Sequence, residues 1–461
     1  MLEMKHAAKS PFPELRGKSP EQVFAPFSEE KGAMLLLSGG ETDAEYSYVC
    51  LDPAAFLVHK NGETVMDFLT EQVPVENPLE CIDRFACAHG PRIEEPVFTG
   101  GAVGYISYGY RTRIEKVPDA NPGAEGLPDI FFSFPSVLLV YAHTDRSWSC
   151  ISLSYSWNEK PLKPGRDFAD IYRTFSSYAP APFPDIDTGS LKSDFSEEEH
   201  IRAVEKTREY IINGDIYQAN IARRFSIPVS GNPYPLFLEI FRRNPAPFFS
   251  FLNCGDHYIL SSSPELLLKT SGDYVESKPI KGTAPRSADS DLDTQFRNGL
   301  MASTKDEAEL SMIVDLIRND LGKICTKGSV KIKDHREMQA YSNVYHTLTT
   351  VYGKLEKEAY PSRIIKALFP GGSITGCPKI RAMEIIDEVE KSARHIYTGS
   401  IGYISARGTM ELNIAIRTAL IFRETLFFSA GGGIVYDSDP KKEFDETTDK
   451  AATWLEVFNP G

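Results

Sequence analysis

A lysine stands in an extended apolar approach, Pro279-Ile-Lys-Gly-Thr-Ala-Pro-Arg286, just before a Gly-Thr turn. Lys281 is there either as a surface cation at a strand end or as an amine aimed into a pocket. Only the second does chemistry, because a desolvated amine loses its charge and becomes a nucleophile. Toward the C-terminus, Glu443 and Glu446 stand three residues apart, which puts both on one face of a helix. Two carboxylates aimed at one point suit Mg²⁺, which takes few protein carboxylates and completes its shell with water or substrate oxygens. In isolation the same pair reads more readily as a solvated acidic face. Glu309, after Thr304-Lys305-Asp306, is a candidate partner that spacing alone does not bring to them.

Gly371-Gly-Ser-Ile-Thr-Gly376-Cys-Pro-Lys379 is a glycine-rich loop opening a helix, a place receptive to anions or a plain change of chain direction. It is not a P-loop, because Cys377 follows where that motif needs lysine. In Met410-Glu-Leu-Asn-Ile-Ala-Ile-Arg417, a strand pattern turns Leu412, Ile414 and Ile416 one way and Asn413 and Arg417 the other. Arg417 is then half exposed, or it binds a carboxylate bidentately. Gly431, Gly432 and Gly433 lie close behind and let backbone approach a ligand. His346, in Asn343-Val-Tyr-His-Thr347, is a lone histidine beside apolar residues, which usually has a structural role.

The elements that must position these groups change character along the chain. Met34–Ser38, Tyr46–Leu51 and Phe56–Lys60 read as strands, the last closed by the hairpin signal Asn61-Gly62. Val97–Tyr110, Ile130–Ala142 and Trp148–Tyr155 extend a strand-rich, antiparallel N-terminal region. Prolines and polar residues mark a change of character over 156–195, whose second half reads as a linker crossing between regions. Ser196-Glu-Glu-Glu199 is a capping box whose helix runs to Asn213 before Gly214. Further strands are expected over Pro247–Leu252, Tyr258–Lys269 and Tyr274–Ile280. Apolar residues at 310, 313, 314, 317 and 321 make a helix of Asp306–Ile324. A helix follows Pro378, then a meander of Tyr397–Ser405, Met410–Glu424 and Leu426–Ala430. The last helix opens at Asp439-Pro440 and runs to Phe458.

At 461 residues, with 41% hydrophobic and 25% charged content, the chain has globular composition and room for two domains or one large composite core. Its net charge of −14 argues against a nucleic-acid partner and requires any anionic substrate to be held by local cations and amides. No apolar run is long enough to span a membrane, and the N-terminus lacks a secretion-signal pattern. Seven dispersed cysteines, at 50, 81, 87, 150, 254, 325 and 377, fit reduced thiols and a cytoplasmic location.

Eight segments in order carry a resemblance: Gly214-Asp-Ile-Tyr-Gln-Ala-Asn220, Ser263-Pro-Glu265, Pro279-Ile-Lys-Gly-Thr283, Asp315-Leu-Ile-Arg-Asn-Asp320, Gly371–Lys379, Gly399-Ser-Ile-Gly-Tyr403, Asn413-Ile-Ala-Ile-Arg417 and Glu443-Phe-Asp-Glu446-Thr447. Through them residues 196–458 resemble the chorismate-utilising enzymes: anthranilate and aminodeoxychorismate synthase components I, and the isochorismate and salicylate synthases. Looser matches at Leu37-Ser38, Tyr46-Ser47 and Gly100-Gly-Ala-Val-Gly104-Tyr105 extend it toward the N-terminus. The resemblance implies an α+β fold of two large antiparallel sheets packed as a sandwich with helices outside. It divides the chain into a strand-rich region, 1–190, and a chorismate-binding catalytic region, 191–461.

Lys281 within Pro-Ile-Lys-Gly-Thr is the mark of the aminodeoxychorismate synthases, where anthranilate and isochorismate synthases usually carry alanine. The resemblance therefore implies amination of chorismate at C4 in folate biosynthesis. Lys281 would attack C2, and Glu265 would protonate the departing 4-hydroxyl. It assigns Mg²⁺ to Glu309 and Glu446, with Glu443 in support. Substrate contacts fall to Thr283, His346, Thr375, Tyr403, Arg417, Gly431, Gly432, Gly433 and Lys450. Ammonia would come from a separate glutamine amidotransferase, component II. A tryptophan pocket maps to Ser38, Tyr46, Pro247, Phe248 and Phe249, with Phe248-Phe249 replacing the Tyr-Met of feedback-inhibited enzymes. Cys377 replaces the usual alanine of the loop, and Ala308-Glu309-Leu-Ser-Met312 departs from Ala-Glu-Asn-Leu-Met. No aminodeoxychorismate lyase domain is expected. The alternatives are anthranilate synthase component I and a non-catalytic ligand-sensing subunit; the latter predicts loss of an active-site group, yet Glu265, Lys281, Glu309 and Glu446 are all present.

Overall fold

The computed structural model describes residues 1–39, 45–86, 97–121, 126–341 and 344–458; Cys87 and Asn343 lie outside the described residues. Among the described residues 24 strands pair antiparallel in one continuous hydrogen-bonded system, which two long bent strands divide into two sheets. The first runs, in spatial order, through Gln218–Ser230, Thr425–Ile434, Thr418–Phe422, His257–Ser263, Phe248–Asn253, Met34–Leu37 and the first half of Tyr46–Lys60. It continues through the second half of Ile130–Ala142 to Ser147–Trp157 and Leu2–Pro11. The other halves of the two long strands belong to the second sheet. That sheet passes through Gly101–Ile106, Ser400–Ser405, Met410–Asn413, Leu266–Ser271, Tyr274–Lys278 and Val344–Lys354. Lys331–Ala340 and Ile280–Pro285 flank the last of these.

Tyr46–Lys60 and Ile130–Ala142 can serve both sheets because their ladder breaks in the middle. Pro53 stands opposite Pro135, neither offers an N–H, and a register shift falls between Pro53 and Ala55. The two short strands expected over 46–60 are thus one strand bent at the proline pair. Strands from residues 1–190 and 191–461 contribute to both sheets.

Side chains alternate along these strands and sort into two cores. Met34, Tyr48 and Cys50 meet Val103, Tyr105, Ile401, Tyr403 and Leu412 in the core between the sheets. The Tyr48 and Tyr403 rings lie 5.9 Å apart there, and the Tyr105 hydroxyl meets His257 Nε2 at 2.9 Å. The intervening Leu35, Leu37, Val49 and Leu51 face the opposite way, into a core that includes residues of helices Tyr234–Arg243 and Pro440–Phe458.

Helix Thr304–Leu321 buries the predicted stripe Leu310, Ile313, Val314, Ile317 and Leu321, each contributing about 1.5–3 kcal/mol as an upper bound. Helix Glu197–Ile212 has the predicted capping box, and Gly214 follows it at φ +81°. In the hairpin turn, Asn61 and Gly62 both take positive φ, as a primed turn requires. Helix Pro440–Phe458 is capped by Asp439, whose Oδ1 accepts from the amides of Lys441 and Lys442 at 3.0 Å each. Two expected strands are interrupted. Tyr258–Lys269 stops at Pro264-Glu265, and Met410–Glu424 separates into Met410–Asn413 and Thr418–Phe422.

Candidate functional site

These interruptions, with a third around Lys281, border one cavity of about 580 Å³. Ile280 pairs with Leu348 and Thr283 with His346, so Lys281 and Gly282 together oppose the single residue Thr347. This bulge aims Lys281 into the cavity. The Thr347 hydroxyl holds it by donating to the Lys281 carbonyl. Gly282 has φ +92°, and a Cβ there would lie 2.9 Å from Leu300 Cδ1, so the bulge needs glycine.

Lys281 Nζ lies 2.5 Å from Glu309 Oε2, a contact that satisfies charge without hydrogen-bond geometry. Burial pulls the lysine pKa down, but Glu309, then Glu446 and Asp306, outweigh it and hold the amine above its ordinary value. The desolvation expected from sequence is therefore present, but these carboxylates keep the amine protonated.

Glu265 enters from the strand break after Pro264. Its main chain is fixed by the Ile414 N–H, which donates to the Glu265 carbonyl at 2.9 Å. The side-chain Oε1 accepts from Ser373 Oγ at 2.7 Å. Burial pushes this carboxyl up to about 7, against the lowering effects of Ser373, the Ile280 N–H and Lys281. A carboxyl near neutrality can give or take a proton at working pH.

Arg417 sits at the second break with φ +49°, uncommon for a non-glycine residue. Ser262 fixes it there, its N–H and hydroxyl both donating to the Arg417 carbonyl at 3.0 Å. The guanidinium lines the cavity and has no ion pair with a carboxylate among the described residues. Burial pulls its pKa down, with Tyr341 partly offsetting. His346 Nδ1 meets Thr283 Oγ1 at 2.9 Å. Burial, then Arg417, lower the imidazole to about 4 and leave it neutral at pH 7.

The strand Thr425–Ile434 closes the cavity with Gly431 and Gly433, while Gly432, expected beside them, does not line it. A Cβ at Gly431 would come within 2.7 Å of Asn220 Oδ1, and one at Gly433 within 2.6 Å of Gln218 Nε2. Gly432 gives room to the acidic helix, since its Cβ would stand 3.0 Å from Glu443 Oε2. Lys450 Nζ donates to the Gly431 carbonyl at 2.9 Å and to Glu446 Oε1 at 2.7 Å.

Glu309, Glu443 and Glu446 all line the cavity, yet among the described residues no group of three or more ligating side chains forms a ready-made metal cage. Each carboxylate instead has its own partner. Glu309 meets Lys281, Glu443 Oε1 accepts from Ser438 Oγ at 2.7 Å, and Glu446 accepts from Lys450. Burial, helped by Glu446, raises the Glu443 carboxyl; Glu446 is exposed, and Lys450 and Lys281 outweigh its partial desolvation and hold it below the ordinary value. Carboxylate oxygens beside open space have the hard-donor chemistry that suits Mg²⁺.

Three expectations are placed differently. The Thr375 hydroxyl donates to the Gly371 carbonyl at 2.8 Å and braces the glycine loop; it does not line the cavity. Tyr403 alternates into the core between the sheets, its ring tilted against Phe98 at 4.5 Å between centroids, and faces a second cavity. Cys377 also stays out of the lysine cavity, with a thiol raised mainly by burial. The second cavity comprises adjoining spaces of about 130 and 50 Å³. Ser38, Tyr46, Pro247 and Phe248 line both, and Phe249 the smaller.

Ser373, Asn220, Tyr397, Lys305 and Asp306 line the lysine cavity without having been singled out as site residues. Ser373 and Asn220 lie inside motifs already noticed, where attention to polar residues within the segments would have found them.

A family model described as chorismate binding enzyme matches residues 32–456. Aminodeoxychorismate synthase component 1 of Salmonella typhimurium is 36% identical over 445 residues, covering 94% of this chain and 95% of that protein. Anthranilate synthase component 1 of Aquifex aeolicus is 31% identical over 459 residues, covering 96% and 92%. The crystal structure of anthranilate synthase component I from Streptococcus pneumoniae matches with a TM-score of 0.76 at 28% identity, covering 90% of this chain and 93% of that one. The fold is accordingly that of anthranilate synthase component I, and the chain belongs to the chorismate-binding enzymes.

Proposed function

We propose that the chain is component I of an aminodeoxychorismate synthase, replacing the C4 hydroxyl of chorismate by an amine. The observation that carries this reading is Lys281, held by its bulge in the same cavity as a carboxyl that titrates near 7. Direct displacement with retention of configuration is hard, and a covalent step divides it in two. The Lys281 amine, once deprotonated, forms a bond to C2 while both ring double bonds shift and the C4–O bond breaks. Glu265 gives its proton to the departing oxygen, which leaves as water. Ammonia then bonds to C4, both double bonds return, and the C2–N bond to Lys281 breaks. Glu265 recovers a proton from the incoming nitrogen.

Arg417 would hold one substrate carboxylate, with Lys450 and the amides around Gly431–Gly433 nearby. His346, neutral and tied to Thr283, would offer a hydrogen bond without charge. A Mg²⁺ ion held by Glu309 and Glu446, with Glu443 behind, would supply positive charge for the other carboxylate and engage the carboxylates that keep Lys281 protonated. The relatives' designation as component 1 supports a partner subunit, and we assign it as the glutamine amidotransferase that delivers ammonia. Tryptophan is the ligand we assign to the second cavity.

The similarity to anthranilate synthases favours a second reading, amination at C2 followed by loss of pyruvate. Incubation with chorismate, Mg²⁺ and ammonium, followed by mass analysis with and without added lyase, separates the two. Aminodeoxychorismate is expected; fluorescent anthranilate as the product would sink the first reading.

A further inference from the structure

We infer that Ser373 is a positioning residue for Glu265, directing its carboxyl and following its proton through the reaction. This rests on the reading of Glu265 as the proton donor. The hydroxyl is 2.7 Å from Glu265 Oε1 and lines the same cavity. A serine hydroxyl both donates and accepts, so it can satisfy the carboxyl in either protonation state. The other group bonded to that side chain, the Ile280 N–H, can only donate and so cannot accept the proton of the neutral carboxyl. When Glu265 surrenders its proton, the Ser373 O–H is in place to donate to the new carboxylate. When the carboxyl is protonated, the same oxygen can accept from it. Ser373 therefore lowers the cost of making and remaking the acid in a dry setting.

The loop holds this serine in place. Thr375 Oγ1 ties the loop to the Gly371 carbonyl at 2.8 Å, and Lys379 Nζ anchors its end to Asp320 at 2.6 Å. At Gly372 a Cβ would lie 2.5 Å from Leu316 Cδ2, so the loop lies hard against the helix that carries Glu309. The charged group facing Glu265 is Lys281, from the adjacent strand. The loop's own cation, Lys379, is turned away to Asp320, and the break at Ile414 contributes only main chain. Glu309 and Asp306 act on Lys281, and Arg417 acts on His346. Ser373 is thus the side-chain hydrogen-bond partner through which the fold addresses the acid.

The test uses the full chain labelled with ¹³C-glutamate and infrared titration of the protonated carboxyl band, assigned by its loss in Glu265→Gln. In Ser373→Ala the midpoint should rise by roughly one pH unit, while Ser373→Thr, which keeps the hydroxyl, should stay near the wild-type value. Turnover should show the same split, with kcat falling roughly ten-fold or more in the alanine variant, KM for chorismate nearly unchanged, and recovery in the threonine variant. An unmoved midpoint in Ser373→Ala, or a loss carried by KM and shared by Ser373→Thr, would overturn the inference. A shifted midpoint in a protein that makes no aminodeoxychorismate would uphold the Ser373–Glu265 link and reject the assigned reaction. Near-ultraviolet circular dichroism checks that both variants are folded.

Discussion

The lysine cavity and the cavity beside Tyr403 share Pro264 and Ile280, yet the same antiparallel strands wall them differently. Around Lys281 the ladders are interrupted three times, at the Lys281-Gly282 bulge, at Pro264-Glu265 and at Arg417. Each interruption turns an ionisable side chain out of the regular alternation and toward a common space. Around Tyr403 the strands Ser400–Ser405 and Gly101–Ile106 keep register, and alternation packs aromatic rings into the core between the sheets. Regular pairing makes a wall; broken pairing makes a place for chemistry.

Substitutions on the two sides should therefore fail in different ways. The largest effect is expected for Lys281→Ala, which should lower aminodeoxychorismate formation by at least about 10³-fold with the fold intact. Unchanged turnover would remove Lys281 from the mechanism; new anthranilate or isochorismate would show another nucleophile reaching C2. Glu265→Gln comes next, with kcat down roughly 10²- to 10⁴-fold. In the wild type, the limb of the kcat/KM profile that depends on a protonated acid should fall above about pH 7, following the raised Glu265 carboxyl.

The same carboxyl gives a stability prediction with a definite sign. Its folded value of about 7 exceeds the ordinary 4.5, so the stability it contributes is full below about 4.5 and lost as pH rises through 7. Denaturant unfolding should show Glu265→Gln gaining on the wild type across that window, by up to about 3 kcal/mol, with no further gain above it. A difference that is flat with pH would mean the carboxyl is not buried as described. Arg417→Lys should raise KM for chorismate roughly 10- to 100-fold, because an ammonium cannot reproduce the planar fork. On the other side, Tyr403→Ala should lower stability by about 3 kcal/mol and leave kcat per folded molecule almost unchanged. A large fall in kcat there would join the two cavities functionally and end the contrast.

The contrast also explains what could be read in the chain beforehand. Local signals carried the capping box at Ser196, the Asn61-Gly62 turn, the Asp439-Pro440 helix start and the stripe from Leu310 to Leu321. Each depends on residues within a turn or two of one another. The break at Glu265 carries a local signal in Pro264, whereas the break at Arg417 was not legible, because an apolar alternation continues across it and only distant partners reveal that the ladder has changed. The same applies to Tyr403, whose side is set by its pairing with Val103 from far earlier in the chain. Lys281 was found because its motif is short and specific. Ser373, inside an equally visible motif, was passed over because its partner lies over a hundred residues away.

The proline-paired strands that run through both sheets have a consequence for how the molecule can be divided. A fragment beginning near residue 191 would keep every charged group of the lysine cavity, yet Phe248–Asn253 would lose Met34–Leu37 and Ser400–Ser405 would lose Gly101–Ile106. Two central strands would become bare edges, each offering unpaired amides and carbonyls to any neighbouring chain. Such a fragment should aggregate rather than catalyse, and inherited changes that shorten the first region should act as losses of solubility before they act as losses of chemistry.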